Sequence, residues 1–184
     1  IYLPLEHYDG SVVGVVMPPV IFDSERERVE QMLADAVQKG ARHALVGNVG
    51  HLRLATAHGL IPHGDFRLNV TNGSSVAVTE RLGLADILLS PELTLPQARD
   101  MGGTKQVIVY GRLPLMILEK CVAKELGDCA TCGRGETALV DRRGAVLPVL
   151  RTFDHRSVVY NSLVTGTSDM TDKLRAAGIL GQHF

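Results

Sequence analysis

Between residues 12 and 111, short runs rich in β-branched residues alternate with stretches that carry apolar residues at helical spacing. This alternation constrains the fold more than any other feature of the chain. "VVGVVMP" (12–18) is short, apolar and closed by proline, so it reads as a buried strand. "SERERVEQMLADAVQKG" (24–40) follows, with Val29, Met32, Leu33, Ala36 and Val37 at helical spacing, Ser24 able to cap the start and Gly40 able to end it. The same reading gives strands over 43–48, 65–70, 85–90 and 105–111, and helices over 51–59, 74–83 and 95–102. Five strands with helices after four of them imply right-handed crossovers and a parallel sheet of buried strands. A closed eight-stranded barrel needs about 250 residues, so five units fall short of one. That leaves an open doubly wound sheet or part of a (β/α) barrel. A partial barrel leaves edges and one sheet face open, so it should dimerise or be covered by the missing part.

After residue 111 the pattern changes. "TALVDRRGAVLPVLRTF" (137–153) has two apolar runs around "DRRG", a hairpin signal. "SVVYNS" (157–162) reads as another short strand, and "SDMTDKLRAAGI" (168–179) as a terminal helix. The expected organisation is an α/β unit over 1–111 and a cysteine-bearing module with a hairpin and a C-terminal helix over 112–184. Hydrophobic residues make up 45% of the 184 residues, enough for a sizeable core. A net charge of −1 gives no basic excess of the kind that marks nucleic-acid binders. No apolar run approaches the roughly 20 residues that span a bilayer, and no signal peptide is visible, so no membrane association is expected. The chain begins with Ile1 and not Met, which suggests a fragment or a processed chain. Its three clustered cysteines do not form a secreted disulfide framework, which makes a reducing cytoplasm the expected location.

Parallel α/β sheets bind ligands beyond the carboxyl ends of their strands. The residues expected there are Gly47, Asn48 and His51, then Asn69, Thr71 and Asn72, then Ser90 and Glu92, then Tyr110 and Arg112. One carboxylate, one guanidinium and several amides suit a polar small molecule or a nucleoside. Glu92 and Arg112 are the catalytic candidates; Asn48, Asn69, Asn72 and Ser90 are the substrate-binding ones. Each also has a plainer explanation. Asn and Ser after strands cap turns and helices, Glu92 suits a first helical turn, and Arg112 can pair with Glu92. There is no dinucleotide fingerprint, phosphate-loop lysine, G-x-S-x-G elbow or H-E-x-x-H helix.

Cys121, Cys129 and Cys132 form C-x7-C-x2-C. Two residues between thiolates let both turn to one centre, but tetrahedral zinc and cubane clusters each want four ligands as a rule. His155 is the candidate fourth ligand, since imidazole can replace thiolate on zinc or iron. Spacing does not separate zinc from an iron–sulfur cluster, and the thiols could also be free or form a redox pair.

"GDFRLNVTNGSSVAVTERLG" (64–83), "ADILLSPELTLPQ" (85–97), "YGRLPLMILEKC" (110–121), "LVDRRGAVLPV" (139–149) and "VVYNS" (158–162) together resemble peptidase family U32, the collagenase-like peptidases. The resemblance implies a TIM-type (β/α) barrel, of which residues 1–111 would be the second half. It implies either peptide hydrolysis, as on collagen-like chains, or the oxygen-independent hydroxylation of RNA nucleosides or ubiquinone precursors. The hydroxylases of the family carry a four-iron four-sulfur cluster on four cysteines. Three of those positions match Cys121, Cys129 and Cys132; the fourth falls about where His155 stands, so zinc is the alternative metal. A non-catalytic, zinc-stapled binding domain is the third expectation. The partners implied are the missing N-terminal half, a second copy of the fragment, and an RNA or peptide substrate. The fragment alone is expected to be inactive.

Overall fold

A computed structural model describes residues 1–125, 137–166, 168–179 and 181–183. The chain divides into two compact units, one over Ile1–Ile108 and Met170–His183, the other over Val109–Asp169.

The first unit is mixed α/β. Its strands are β1 (Tyr2–Pro4), β2 (Gly14–Val16), β3 (His43–Val46), β4 (Ile61–Gly64), β5 (Ile87–Leu88) and β6 (Lys105–Ile108). These pair in chain order, all parallel, and a late strand over Gly181–His183 joins the outer side of β6. The order never reverses, so this is not a doubly wound sheet, whose strand order turns back at a switch point. The helices are α1 (Arg26–Gln38), α2 (Leu52–Ala57), α3 (Gly73–Arg81) and α4 (Leu95–Asp100), with one more over Thr171–Ala176. Right-handed crossovers that always step the same way put the connecting helices on one face of the sheet. That face is the dry one. Val15, Ala44, Val46 and Ile87 share it by register and are at most 1% exposed, as are Val29 and Leu33 on the inner stripe of α1.

Local chemistry sets the helix ends. Glu25 accepts a hydrogen bond from the Phe22 amide before α1, and Gly40 takes φ 106° after it. Gln97 Oε1 accepts from the Thr94 amide at the start of α4. Lys105, only 4% exposed, turns its Nζ to the Arg99 carbonyl (3.1 Å) and to that of Met101, where α4 ends. It supplies the positive charge that the carboxyl end of a helix favours.

The third strand differs from the expectation. Residues 65–70 do not form it; Ile61–Gly64 do, and Phe66–Leu68 make a 3-10 turn. Asp65 Oδ1 accepts from the Phe66 amide, Arg67 pairs back to Asp65, and Asn69 adopts φ 50°. These local bonds offer the backbone an alternative to the ladder. Pro62 counts against a strand by composition, yet its carbonyl accepts from the Ala85 amide at 2.9 Å. β1, built from the first residues of the chain, is a strand that hydrophobic patterning did not signal.

In the second unit, β7 (Tyr110–Gly111) pairs with a strand over Thr165–Gly166. An antiparallel sheet contains β8 (Pro114–Leu118), β9 (Ala138–Val140), β10 (Val146–Thr152) and β11 (Arg156–Tyr160) in the order β8-β11-β10-β9. The expected hairpin is β9–β10. Asp141 Oδ1 caps its turn by accepting from the Arg143 and Ala145 amides, and Gly144 takes φ 83°. Cys121 leads into a short helix, α5 (Val122–Glu125). Among the described residues no helix is long and apolar enough to cross a membrane.

Replacing Lys105 by Met keeps the apolar stem but leaves the α4 carbonyls without a donor. The expected loss is about 1–3 kcal/mol of unfolding free energy, read from urea melts.

Candidate functional site

The carboxyl ends of the parallel strands do carry polar residues, but most of the predicted ones serve the backbone. Asn48 caps the 3-10 turn Val49–His51, with its side-chain oxygen 2.9 Å from the Gly50 amide. Asn72 caps α3 through the Ser75 amide at 2.9 Å. Asn69 is exposed and takes the left-handed conformation that ends the Phe66–Leu68 turn. Ser90 is buried, and its hydroxyl lies 3.5 Å from the Glu92 amide. Glu92 is exposed. Arg112, in the second unit, is exposed and donates from Nη1 to the Asn161 carbonyl (2.9 Å) and to that of Ser162. It tethers the chain after β11 to the segment before β8.

The buried ion pair at the strand ends is one that sequence reasoning passed over. Asp65 is 3% exposed and receives Arg67 Nη1 at 2.5 Å, while the guanidinium lies over the Phe66 ring. Gly47 makes room: a Cβ there would stand 3.1 Å from Asp65 Oδ2 and 3.2 Å from the Arg67 side chain. Nearby, a cleft of about 660 Å³ is lined by Arg26 and Glu30 of α1, Asn48, His51, and Arg53 of α2. Asn48 is thus the one predicted substrate residue that borders this cleft. His51 Nδ1 is buried there without a partner among the described residues. Burial holds the His51 ring below the usual histidine range, against the opposing effect of a hydrogen bond with the Pro18 backbone.

On the opposite face of the sheet lies a second polar group that was not foreseen. His63 of β4 sits between Asp86, just before β5, and His43 of β3, with contacts of 2.8 and 2.9 Å. Tyr2 of β1 meets the His63 ring edge-on at 5.9 Å. Gly14 of β2 permits this, because a Cβ there would be 2.5 Å from the Tyr2 ring. Burial, then the Asp86 charge, pushes the Tyr2 phenol up to about 12. Burial first, then the His63 charge, holds His43 below its usual value. The signal was present as polar residues in "RHALV", "IPHG" and "LADIL". Placing the third strand at 65–70 hid the register that joins them.

Of the four predicted metal ligands, Cys129 and Cys132 lie outside the described residues. Cys121 is half-buried and His155 is exposed with φ 65°. They are 34 positions apart, but β8 and β11 pair antiparallel with Leu118 opposite Ser157. The pairing brings Cys121, three residues beyond Leu118, and His155, two before Ser157, to the same end of the ladder. The Val122 amide donates to Ser157 Oγ at 3.0 Å, which ties the cysteine segment to β11. Arg156 is buried at this end and reaches Glu119 at 3.0 Å. A thiol and an imidazole that solvent reaches fit a shared soft centre chemically. Among the described residues no three His, Cys, Asp or Glu side chains gather as a metal site.

A one-directional parallel sheet with polar carboxyl ends, followed by a cysteine-bearing segment, defines a class of α/β protein. The chain matches peptidase family U32 over residues 3–138 and belongs to that family. No curated protein and no solved structure matches it.

Two outcomes are expected. Asn72→Ala should cost about 1 kcal/mol of stability through the lost helix cap, read from thermal melts. His43 and His51 are both held below their usual value, so the unfolded chain takes up protons first as pH falls through about 6.5. Stability is therefore fully present above that pH and is lost on acidification. A urea midpoint that falls with acidification, and falls less steeply in His51→Gln, checks the sign.

Proposed function

We propose that this chain is part of a U32 enzyme that hydroxylates an RNA nucleoside or an aromatic precursor with the help of a four-iron four-sulfur cluster. In this reading the parallel sheet is an arc of a (β/α) barrel wall. The unreversed strand order supports it, as does the meeting of side chains from β1 and β4 over Gly14. In a flat sheet those two strands would lie about 14 Å apart. The open edges and open face would be covered by the rest of the protein or by a second copy.

Cys121, Cys129, Cys132 and His155 are the proposed ligands. The observation that carries this is the β8–β11 register, which sets Cys121 and His155 at one end of a ladder. When bound, the cluster would supply redox chemistry or substrate activation. The chain's own residues would bind and orient the substrate. Glu92, exposed after β5, is the group of the first unit proposed to hydrogen-bond it; Asn48, Asn69, Asn72 and Ser90 shape the loops around it.

Anaerobic purification followed by metal analysis and a visible spectrum tests this. The expected protein is brown, with about four irons per chain. The colour should be lost in Cys121→Ser and more readily bleached by air in His155→Ala. A colourless protein with stoichiometric zinc would replace this reading with a zinc-stapled binding domain. Gelatin cleavage that ignores loss of the thiols would replace it with a peptidase.

A further inference from the structure

Asp86, His63 and His43 form a hydrogen-bonded row across neighbouring strands, and neither the cluster nor the strand-end residues make use of it. Register explains the row. Leu45 pairs with His63, so His43, two residues earlier, faces the same side, and Gly64 pairs with Ile87, so His63 is level with Asp86. The protons can be placed from the partners. An ionised carboxylate only accepts, so the hydrogen at 2.8 Å belongs to His63 Nδ1. With His63 taken as neutral, its Nε2 is a lone pair and the hydrogen in the 2.9 Å contact belongs to His43 Nδ1. His43 Nε2 is left as a lone pair with no hydrogen bond among the described residues. The one buried, unpartnered side-chain nitrogen or oxygen among them is His51 Nδ1, so His43 Nε2 is open to solvent.

Burial falls along the row. The side chains of His63 and Asp86 are 11% and 16% exposed, while His43 is only half-buried at the near end. This is the arrangement in which a sheltered carboxylate orients one imidazole and that imidazole orients a second, reachable one.

The geometry points to a general-base site at His43 Nε2, with His63 and Asp86 as positioning residues, that takes a proton from water or from a hydroxyl group of a bound molecule. In the step, an O–H bond of water breaks and its proton bonds to His43 Nε2. The hydrogen on His43 Nδ1 passes to His63 Nε2. The positive charge ends on His63, whose Nδ1–H faces the Asp86 carboxylate. The water oxygen bonds to an acyl carbon, and the ester's alkoxide or phenoxide leaves with the bonding electrons. The titratable side chains that bear on His43 are His63 and Asp86, and the Tyr2 phenol beyond them stays neutral. Burial, and His63 whenever it is charged, lower His43's proton affinity and Asp86 raises it, with a net lowering that leaves the ring free to accept at neutral pH.

The test uses the purified chain and p-nitrophenyl acetate. The expected rate rises with pH as His43 loses its proton. It falls on the order of tenfold or more in His43→Gln. Asp86→Asn should lower the rate and shift the pH midpoint down, because the imidazolium loses its counter-charge. His7→Gln, at an exposed ring, should leave the rate unchanged, and the rate should not follow the iron content of the preparation, which separates this site from the cluster. Equal rates in His43→Gln and His7→Gln overturn the proposal. Should the strand variants fail to fold, nitrogen-15 NMR of the unmodified protein decides it. Protonated Nδ1 and bare Nε2 on both rings are expected, and a bare His43 Nδ1 overturns it.

Discussion

The pairing of β3 with β4 governs what the first unit can present. Side chains alternate along a strand, so a slip of one residue would carry every side chain of Ile61–Gly64 to the other face. In the observed register Gly64 lies beside Val46 on the dry face, where a Cβ would run into Ile87. His63 then faces the open side beside His43, and Asp65 leaves the sheet at the strand end, next to Gly47. One ladder thus fixes a histidine row on one face and a buried ion pair at the carboxyl edge.

The two polar groups differ in what they leave unspent. At the carboxyl edge, the amides of Asn48 and Asn72 are already engaged with backbone N–H groups, and Asp65 is matched by Arg67. Such groups hold loops in place, whereas Glu92 stays open. On the open face, the row ends in a nitrogen that no neighbour among the described residues occupies. In the second unit the same logic applies to the β8–β11 ladder. Antiparallel register, and not closeness in sequence, brings Cys121 and His155 to one end.

Much of the fold was legible because hydrophobic burial writes a period into the chain. α1 was readable from Val29, Leu33 and Ala36, and the β9–β10 hairpin from "DRRG", because these depend on local spacing and turn chemistry. The parallel character followed from alternation, which left a doubly wound sheet and part of a barrel both open; the unreversed strand order decides against the first. The third strand was misplaced because Pro62 and Gly64 are poor strand formers, while "DFRLNV" alternates like a strand. Asp65, Arg67 and Asn69 instead satisfy that backbone locally. The histidine row was hidden for the same reason: its members belong together only through register, which no short stretch of sequence displays. The family kinship was legible from five motifs in order, and the match over 3–138 bears it out.

The most direct measurement is a nuclear Overhauser map of the β3–β4 ladder in the labelled protein, read with amide exchange. Cross-peaks that align Leu45 with His63, and slow exchange of the Asp65 amide bonded to Val46, are the predicted result. Cross-peaks that instead align Leu45 with residues between 66 and 70 would contradict it. They would dissolve both the ion pair at the strand end and the row on the open face.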